Sequence, residues 1–492
     1  MVTKPTRPLV AVVGTTGVGK SQLAVELARS VSEIGLGWQS GSVINADAMQ
    51  VYNGLDVITN KITEAEMCGV PHHLIGFKKP GETYVVFEWL RDAETLIEKL
   101  HGENVLPIAA GGTSYWVQNL IFPNRLPSLD TGTGAAQTLE KAPSSSLSSA
   151  ISTLTPALLE LWQNLPERAS AAQIIPDDAF RLHSLLCHLD PQMGARWHWK
   201  DTRKVLRSLE IIKENGCLAS EVIASQKQEE EPRYRSLIFW LYAKPEQLNP
   251  RLDARVDKML QQGLLDEIKT MRSIAIALNG QSEEALTVNT DYTQGIFQSI
   301  GYKEFDEYLS SSDPPEELLQ ASLDQMKHAT KKYAQRQVKW IRDRLLPAVN
   351  NTHTDDPPVL VLLDATELGD KWDLNVKNPA IEALRDFLEG APMRNPRTLS
   401  DVAREMLSTH KHGLSPTETL LARRKRQCTI CTSDPTRPVM LEEGREWQVH
   451  VKSRAHRTLA GKEKKVAEQM AQREEKQRIR RERRGDSSLV SE

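Results

Sequence analysis

Five apolar residues, Leu9–Val13, run directly into Gly14-Thr15-Thr16-Gly17-Val18-Gly19-Lys20-Ser21. Beyond them, Leu23, Leu27, Ala28 and Val31 fall at helical spacing. Strand, glycine-rich turn, helix is the context in which G-x-x-x-x-G-K-[ST] cradles phosphate. The glycines let backbone N–H groups converge on anionic oxygens, and the helix adds its N-terminal partial charge. Lys20 adds a full charge, and Ser21 can reach a phosphate or a bound Mg2+ ion. The motif specifies a phosphate ligand without saying which one.

The chain around this loop alternates strand with helix. Ser42–Ala46 ends at Asp47, Val105–Ala110 ends at Gly111-Gly112, and Glu88–His101 reads as a helix before the latter. Such alternation predicts an α/β fold, a P-loop NTPase-like parallel sheet with ligands at the carboxyl ends of its strands. An NTPase carries a metal-holding Asp at the end of a second strand. Here Val105–Ala110 ends without an acid, and the carboxylate is Asp47. Spacing alone leaves Asp47 open as a catalytic group, a helix cap or a residue behind a metal.

With 492 residues, a prior of ~150 per domain suggests about three domains. No run of ~18 apolar residues occurs, and the opening residues make a poor secretory signal. Five cysteines exclude a disulfide scaffold. The net charge of −3 hides an asymmetry: Arg423–Arg484 holds 19 Lys and Arg against 9 Asp and Glu, or +10, which leaves −13 elsewhere. A basic tail on an acidic body points to a polyanionic partner.

The expected organisation is a core over 1–126, a mostly helical insertion over 127–232, a second core segment over 233–348, and a linker or extension over 349–422. A finger over 423–460 and a basic tail over 461–492 complete it. Pro127–Ser152, rich in Ser, Ala, Thr and Gly, reads as a linker or surface loop. Helices are expected over Leu158–Ser225 with a break at Asp190-Pro191, then over Leu252–Met271 and Glu317–Leu345. Arg235–Ala243 and Val359–Asp364 are strand candidates, Ala277–Gly295 a loop, and the final residues a charged helix or an arm.

Cys428-x2-Cys431 precedes His450-x5-His456 by 18 residues. Two cysteines and two histidines make a tetrahedral zinc set, with a gap longer than the ~12 residues of the common C2H2-type finger. Trp447 is expected on the finger's core, and Arg423–Arg426, Lys452, Arg454 and Arg457 around it. Cys68, Cys187 and Cys217 read as buried apolar residues, and His72 and His73 as structural.

The chain resembles the tRNA dimethylallyltransferases in their eukaryotic form, with the C-terminal zinc finger. The resemblance rests on GTTGVGKS (Gly14–Ser21), NADAMQVYNGLDVITNK (Asn45–Lys61), GVPHHLI (Gly69–Ile75) and PIAAGGTSYWVQ (Pro107–Gln118). It continues through DTRKVLRSLEI (Asp201–Ile211), LYAKP (Leu241–Pro245), LDARVDKML (Leu252–Leu260), QSIGYKEF (Gln298–Phe305) and YAQRQVKWIR (Tyr333–Arg342). It departs from the family's usual pattern at Thr15, where bacterial members have Pro, and at Ala48, where Ser is usual.

The resemblance implies transfer of a dimethylallyl group from its diphosphate, bound with Mg2+, to N6 of the adenosine just 3′ of the anticodon. It implies Asp47, Thr16 and Lys20 as the catalytic set, with residues 14–21, Val18 included, holding the diphosphate. Asp47, Ala48, Met49, Gln50, Thr113, Gln298, Gly301, Tyr302 and Lys303 would line an adenine pocket. Arg203, Arg207, Arg336, Gln337, Trp340 and Arg342 would meet tRNA or phosphate, a solvated helix face being the lesser reading of the arginines. The adenine must leave its stack to react, at a cost of a few kcal/mol. Structural Zn2+, an anticodon stem-loop partner, a monomer and a cytoplasmic location, with mitochondria and nucleus also open, complete the expectation. A transferase acting on free adenine nucleotides, a P-loop kinase and a non-catalytic RNA binder are the alternatives.

Overall fold

β1 (Pro8–Gly14) is apolar throughout because both its faces are covered. Leu9, Ala11 and Val13 enter one core and Val10 and Val12 the other, the period-2 alternation of a two-sided strand. α1 (Lys20–Ile34) packs Leu23, Leu27 and Val31 on the second face. After β2 (Ser40–Asn45) and β3 (His72–His73), α2 (Val86–Gly102) packs Trp89, Ala93 and Ile97 on the first. β4 (Val105–Ala110), α3 (Ser114–Ile121), β5 (Arg235–Tyr242), α4 (Pro245–Gln261), α5 (Glu316–Trp340), β6 (Val359–Asp364) and α6 (Asn378–Glu389) follow.

This computed structural model describes residues 7–123, 143–170, 172, 174–225, 231–280, 290–292, 294–352, 354–408 and 424–485, with side chains to 479. It divides into two units, Met1–Thr131 with Lys227–Gly413, and Gly132–Gln226 with Leu414–Glu492. In the first unit six parallel strands lie in the order β3-β2-β4-β1-β5-β6. Val12 pairs with Ala110 on one side and Phe239 on the other, so the loops after β1, β4 and β5 emerge at one edge. The chain leaves β1 toward β2 on one side and later adds β5 and β6 on the other. That reversal opens a crevice at the carboxyl ends, where such sheets bind ligands.

Within the expected linker or extension 349–422, residues 354–408 carry a strand and helices that enter the cores of the first unit. β6 pairs with β5 from Leu237↔Val359 to Tyr242↔Asp364. Trp372, Val376, Ala380, Leu384 and Phe387 complete one core, while Val402, Ala403 and Leu407 enter the other. The expected helix Leu252–Met271 is two helices, α4 and Leu264–Leu278, because the chain turns at Gly263 with φ +99°. α5 passes into a π-helical turn at Ile341–Leu345. Within the expected loop Ala277–Gly295, residues 281–289 and 293 lie outside the described residues.

The second unit packs helices Pro176–Leu189 and Thr202–Asn215 around Leu182, Leu186, Val205, Leu209 and Ile212. Part of the Ser-rich stretch expected as a linker is helical, Ser145–Ser152. Its Ser144 hydroxyl accepts from Leu147 N–H at 3.2 Å, and Leu147 is buried. Serine caps the helix and one leucine anchors it, which composition alone obscures; residues 124–142 lie outside the described residues. At the expected break, the Asp190 carboxylate accepts from Met193 N–H (3.1 Å) and Ser220 N–H (2.7 Å). The C-terminal part is an antiparallel hairpin, β7 (Lys425–Gln427) with β8 (Met440–Glu442), followed by helices Arg445–Lys452 and Arg454–Gly485. Among the described residues, no helix is long and apolar enough to cross a membrane.

Candidate functional site

Asp47 follows β2 and is held by its neighbours. The Trp89 indole donates to Asn45 O at 2.8 Å, fixing the end of the strand. Asp47 N–H donates to Asn45 Oδ1 (3.1 Å), and Met49 N–H donates to Asp47 Oδ1 (3.0 Å). The other oxygen, Oδ2, faces Gly112: a Cβ there would lie 2.9 Å from it and 2.8 Å from Gln337 Nε2. At Gly111 a Cβ would lie 2.1 Å from Ala46 C and O. The Gly-Gly end of β4 therefore lets the β2 loop fold over it. This supplies a physical reason for the missing strand-end acid, since the carboxylate arrives from the next strand along.

Two residues outside the expected catalytic set tie the loop after β1 to this carboxylate. Arg255, on α4, donates from Nη1 to Thr16 Oγ1 at 2.6 Å. Gln337, buried on α5, accepts from Thr16 N–H at 2.9 Å and donates to Gly112 O at 3.0 Å. Ion pairs Lys331–Asp253 (2.8 Å) and Lys327–Asp257 (2.6 Å) set α5 against α4 on either side of Arg255. Arg255 lies inside LDARVDKML, yet nothing in its spacing announces it. By contrast Arg336 is exposed beside the Tyr333 ring, and Arg342 pairs with Asp343 at 3.1 Å. Among the three, the arginine bonded to the loop after β1 is Arg255.

Lys20 donates to Thr15 O at 2.7 Å. Burial pushes its ammonium down to about 8, Asp47 opposes that shift, and Arg255 adds to it. Burial also lowers Arg255, again opposed by Asp47. The Tyr333 hydroxyl is pushed up by burial and by Asp47. Two half-buried cations against one carboxylate leave surplus positive charge beside the loop, the field that suits an anion. Thr15 is buried with its hydroxyl unpartnered, while Ser21 is exposed at the start of α1.

Of the expected pocket residues, Ala48 and Thr113 are bonded to each other directly after Asp47, and Met49 meets the loop that carries Gln298 and Gly301. Ala48 N–H donates to Thr113 Oγ1 at 3.0 Å, Gln50 Nε2 donates to Asn60 O at 2.9 Å, and Ser299 Oγ reaches Met49 Sδ at 3.4 Å. Gln298 and Lys303 are exposed. Gly301 turns at φ +110° with its N–H on Glu304. Tyr302 is 3% exposed and packs on Phe297, so it supports this loop from beneath rather than facing a ligand. Trp340 is half-buried, edge-on to Tyr115. His72 and His73 make structural bonds to Val70 O and Ser42 Oγ, both 2.9 Å.

In the second unit Arg203 is exposed, but Arg207 is held by Glu210 (3.0 Å) and Glu214 (2.9 Å). Cys68, expected inside, is exposed, and Cys187 and Cys217 are half-buried. Cys428, Cys431, His450 and His456 bring their ligand atoms within 4.8 Å of one another. Both Sγ atoms lie 3.4 Å from His456 Nδ1, which is 3.2 Å from His450 Nε2. A tetrahedron with Zn–S ~2.3 Å and Zn–N ~2.0 Å has S···N edges of about 3.5 Å and N···N edges of about 3.3 Å. The donor set therefore fits a zinc ion. Ser453 separates the two helices that carry the histidines. Trp447 packs between the Arg426 guanidinium, 4.2 Å from its ring, and His450.

Residues 50–344 match the family model described as IPP transferase. The chain is 36% identical over 470 residues to the tRNA dimethylallyltransferase of Schizosaccharomyces pombe, covering 94% of this chain and 97% of the relative. It is 30% identical over 470 residues to the Homo sapiens protein of the same name, covering 92% of this chain and 85% of that one. A solved structure described as a eukaryotic dimethylallyltransferase acting on tRNA aligns with TM-score 0.70 and 30% identity, covering 95% of this chain and all of that one.

Proposed function

The chain belongs to the tRNA dimethylallyltransferase family, and on that premise we propose that residues 14–21 seat the diphosphate of dimethylallyl diphosphate beside Asp47, the acceptor of the adenine proton. The chain is a transferase that moves a dimethylallyl group onto a tRNA adenosine. The acceptor atom is N6 of the adenosine immediately 3′ of the anticodon. The observation that carries this is the bridge from Asp47 across Gly112 and Gln337 to Thr16 and Arg255.

An exocyclic amine is a weak nucleophile because its lone pair is delocalised into the ring. Asp47 Oδ2, the oxygen not taken by Met49 N–H, accepts one N6 proton while N6 attacks C1 of the prenyl group. The C1–O bond breaks and diphosphate leaves. General-base help of this kind contributes ~10²–10⁴ in rate. Charge growing on the leaving group meets Lys20, Arg255 and the loop N–H groups, already in place. Thr16, holding Arg255, hydrogen-bonds the bridging oxygen. Ser21 and the phosphate oxygens would hold Mg2+, which adds positive charge when bound. Cys428, Cys431, His450 and His456 hold structural Zn2+, and the basic finger grips the RNA backbone.

The test gives purified protein dimethylallyl diphosphate, Mg2+ and an unmodified anticodon stem-loop transcript. The transcript is expected to gain the mass of one prenyl group, with AMP left unmodified. Modified AMP and an unchanged RNA would instead support a free-nucleotide transferase, and labelled ATP hydrolysis a P-loop kinase or NTPase.

A further inference from the structure

The segment between β6 and α6 lies outside the region matched by the family model, which ends at residue 344. The phosphate loop lies outside that region too, and the segment reaches it. A Cβ on Gly19 would lie 2.7 Å from Trp372 Cη2 and 2.8 Å from Cζ3. The benzo edge of the indole thus fills the space behind the loop at the residue preceding Lys20. Trp372 is 4% exposed, and its N–H donates to both carboxylate oxygens of Glu26, at 3.0 and 2.9 Å. Glu26 sits on α1, the helix whose N-terminus forms the cradle. The ring is therefore anchored to the element it supports.

The same segment also braces the other side of the loop. A Cβ on Gly17 would lie 2.8 Å from Leu252 Cδ2 on α4. Arg251, the residue before, donates to Ala365 O at 2.9 Å and to Thr366 O. Those carbonyls open the segment that carries Trp372. Gly17 and Gly19 both have positive φ, at +80° and +87°, and a glycine backbone left unsupported has many alternatives to that geometry.

We infer that Trp372 is a positioning residue for the diphosphate: it holds Gly19 from behind, so that the loop is preset before the donor arrives. The inference rests on the loop being the diphosphate seat. A preset loop improves donor binding by removing an ordering cost, and it leaves the proton transfer at Asp47 untouched.

The experiment titrates inorganic diphosphate with Mg2+ into the full-length protein by calorimetry and measures steady-state transfer in parallel. For W372A, the diphosphate Kd and the donor KM are expected to rise together by ~10-fold, with kcat and the RNA KM within about twofold of wild type. W372F, which keeps an aromatic ring but lacks its outer edge and N–H, should fall between them. It carries the test if W372A does not fold. An unchanged Kd in a W372F protein that melts like wild type would overturn the inference. So would a fall in kcat as large as the rise in KM. A wild-type protein that binds diphosphate yet transfers nothing would count against the proposed reaction alone, with the Kd comparison still deciding Trp372.

Discussion

Lys20 carries a lysine charge that titrates near the working range, because burial lowers it to about 8. In the proposed reading, the donor's diphosphate binds its ammonium form. In the free protein that form is depleted above about pH 8, so the donor KM should rise up to ~10-fold per pH unit there. Lys20→Arg, which keeps the charge far higher, should flatten the profile. A wild-type KM that stays level from pH 7 to 9.5 would contradict the shift. Stability moves the opposite way. Between about 8 and 10.5 the unfolded chain still holds the proton the native one has shed, so this residue's contribution rises with pH. Lys20 and Asp47 are legible in the sequence because each sits in a short motif or at a strand end. Arg255 is not, and Gln337 enters only through the resemblance, as a residue meeting tRNA or phosphate; their bonds to Thr16 depend on how α4 and α5 cross the loop, which no local pattern encodes.

Among elements, the finger shows how much a linear reading recovers. Its ligands are legible from spacing, yet its docking is not. Trp199 Nε1, on the insertion, donates to Pro438 O at 2.9 Å, and Met440 packs with Ala172, Ala179, Phe180 and Trp199. Arg437 lies 3.9 Å from Asp177. Zinc removal should melt the finger, since its ligation energy is folding energy. Amide exchange near Trp199 and over Ala179–Phe180 should then quicken by ~10-fold, while Val205–Ile212, held by its own core, stays protected. Unchanged exchange near Trp199 after chelation would show that the finger does not brace the insertion. β6 teaches the same lesson. Its apolar run announces a strand, but its parallel partner β5 lies far away in sequence, so the segment reads as an extension until pairing places it in the core.

For the whole molecule, residues 132–226 and 414–492 form one unit despite the stretch of chain between them. Their grouping escapes any division of the sequence into successive domains. In the proposed reading, the finger of this unit grips the RNA and the other unit carries the chemistry. Cys428→Ser should weaken RNA binding by ~10-fold, while single-turnover transfer at saturating RNA stays within about twofold of wild type. A large loss at saturation would mean that the finger shapes the reaction itself. The most direct test of the central claim is single-turnover prenyl transfer by Asp47→Asn, with donor and RNA both saturating. The rate should fall ~10²-fold or more while RNA affinity stays near wild type; an unaltered rate would contradict the assignment of the adenine proton to Asp47.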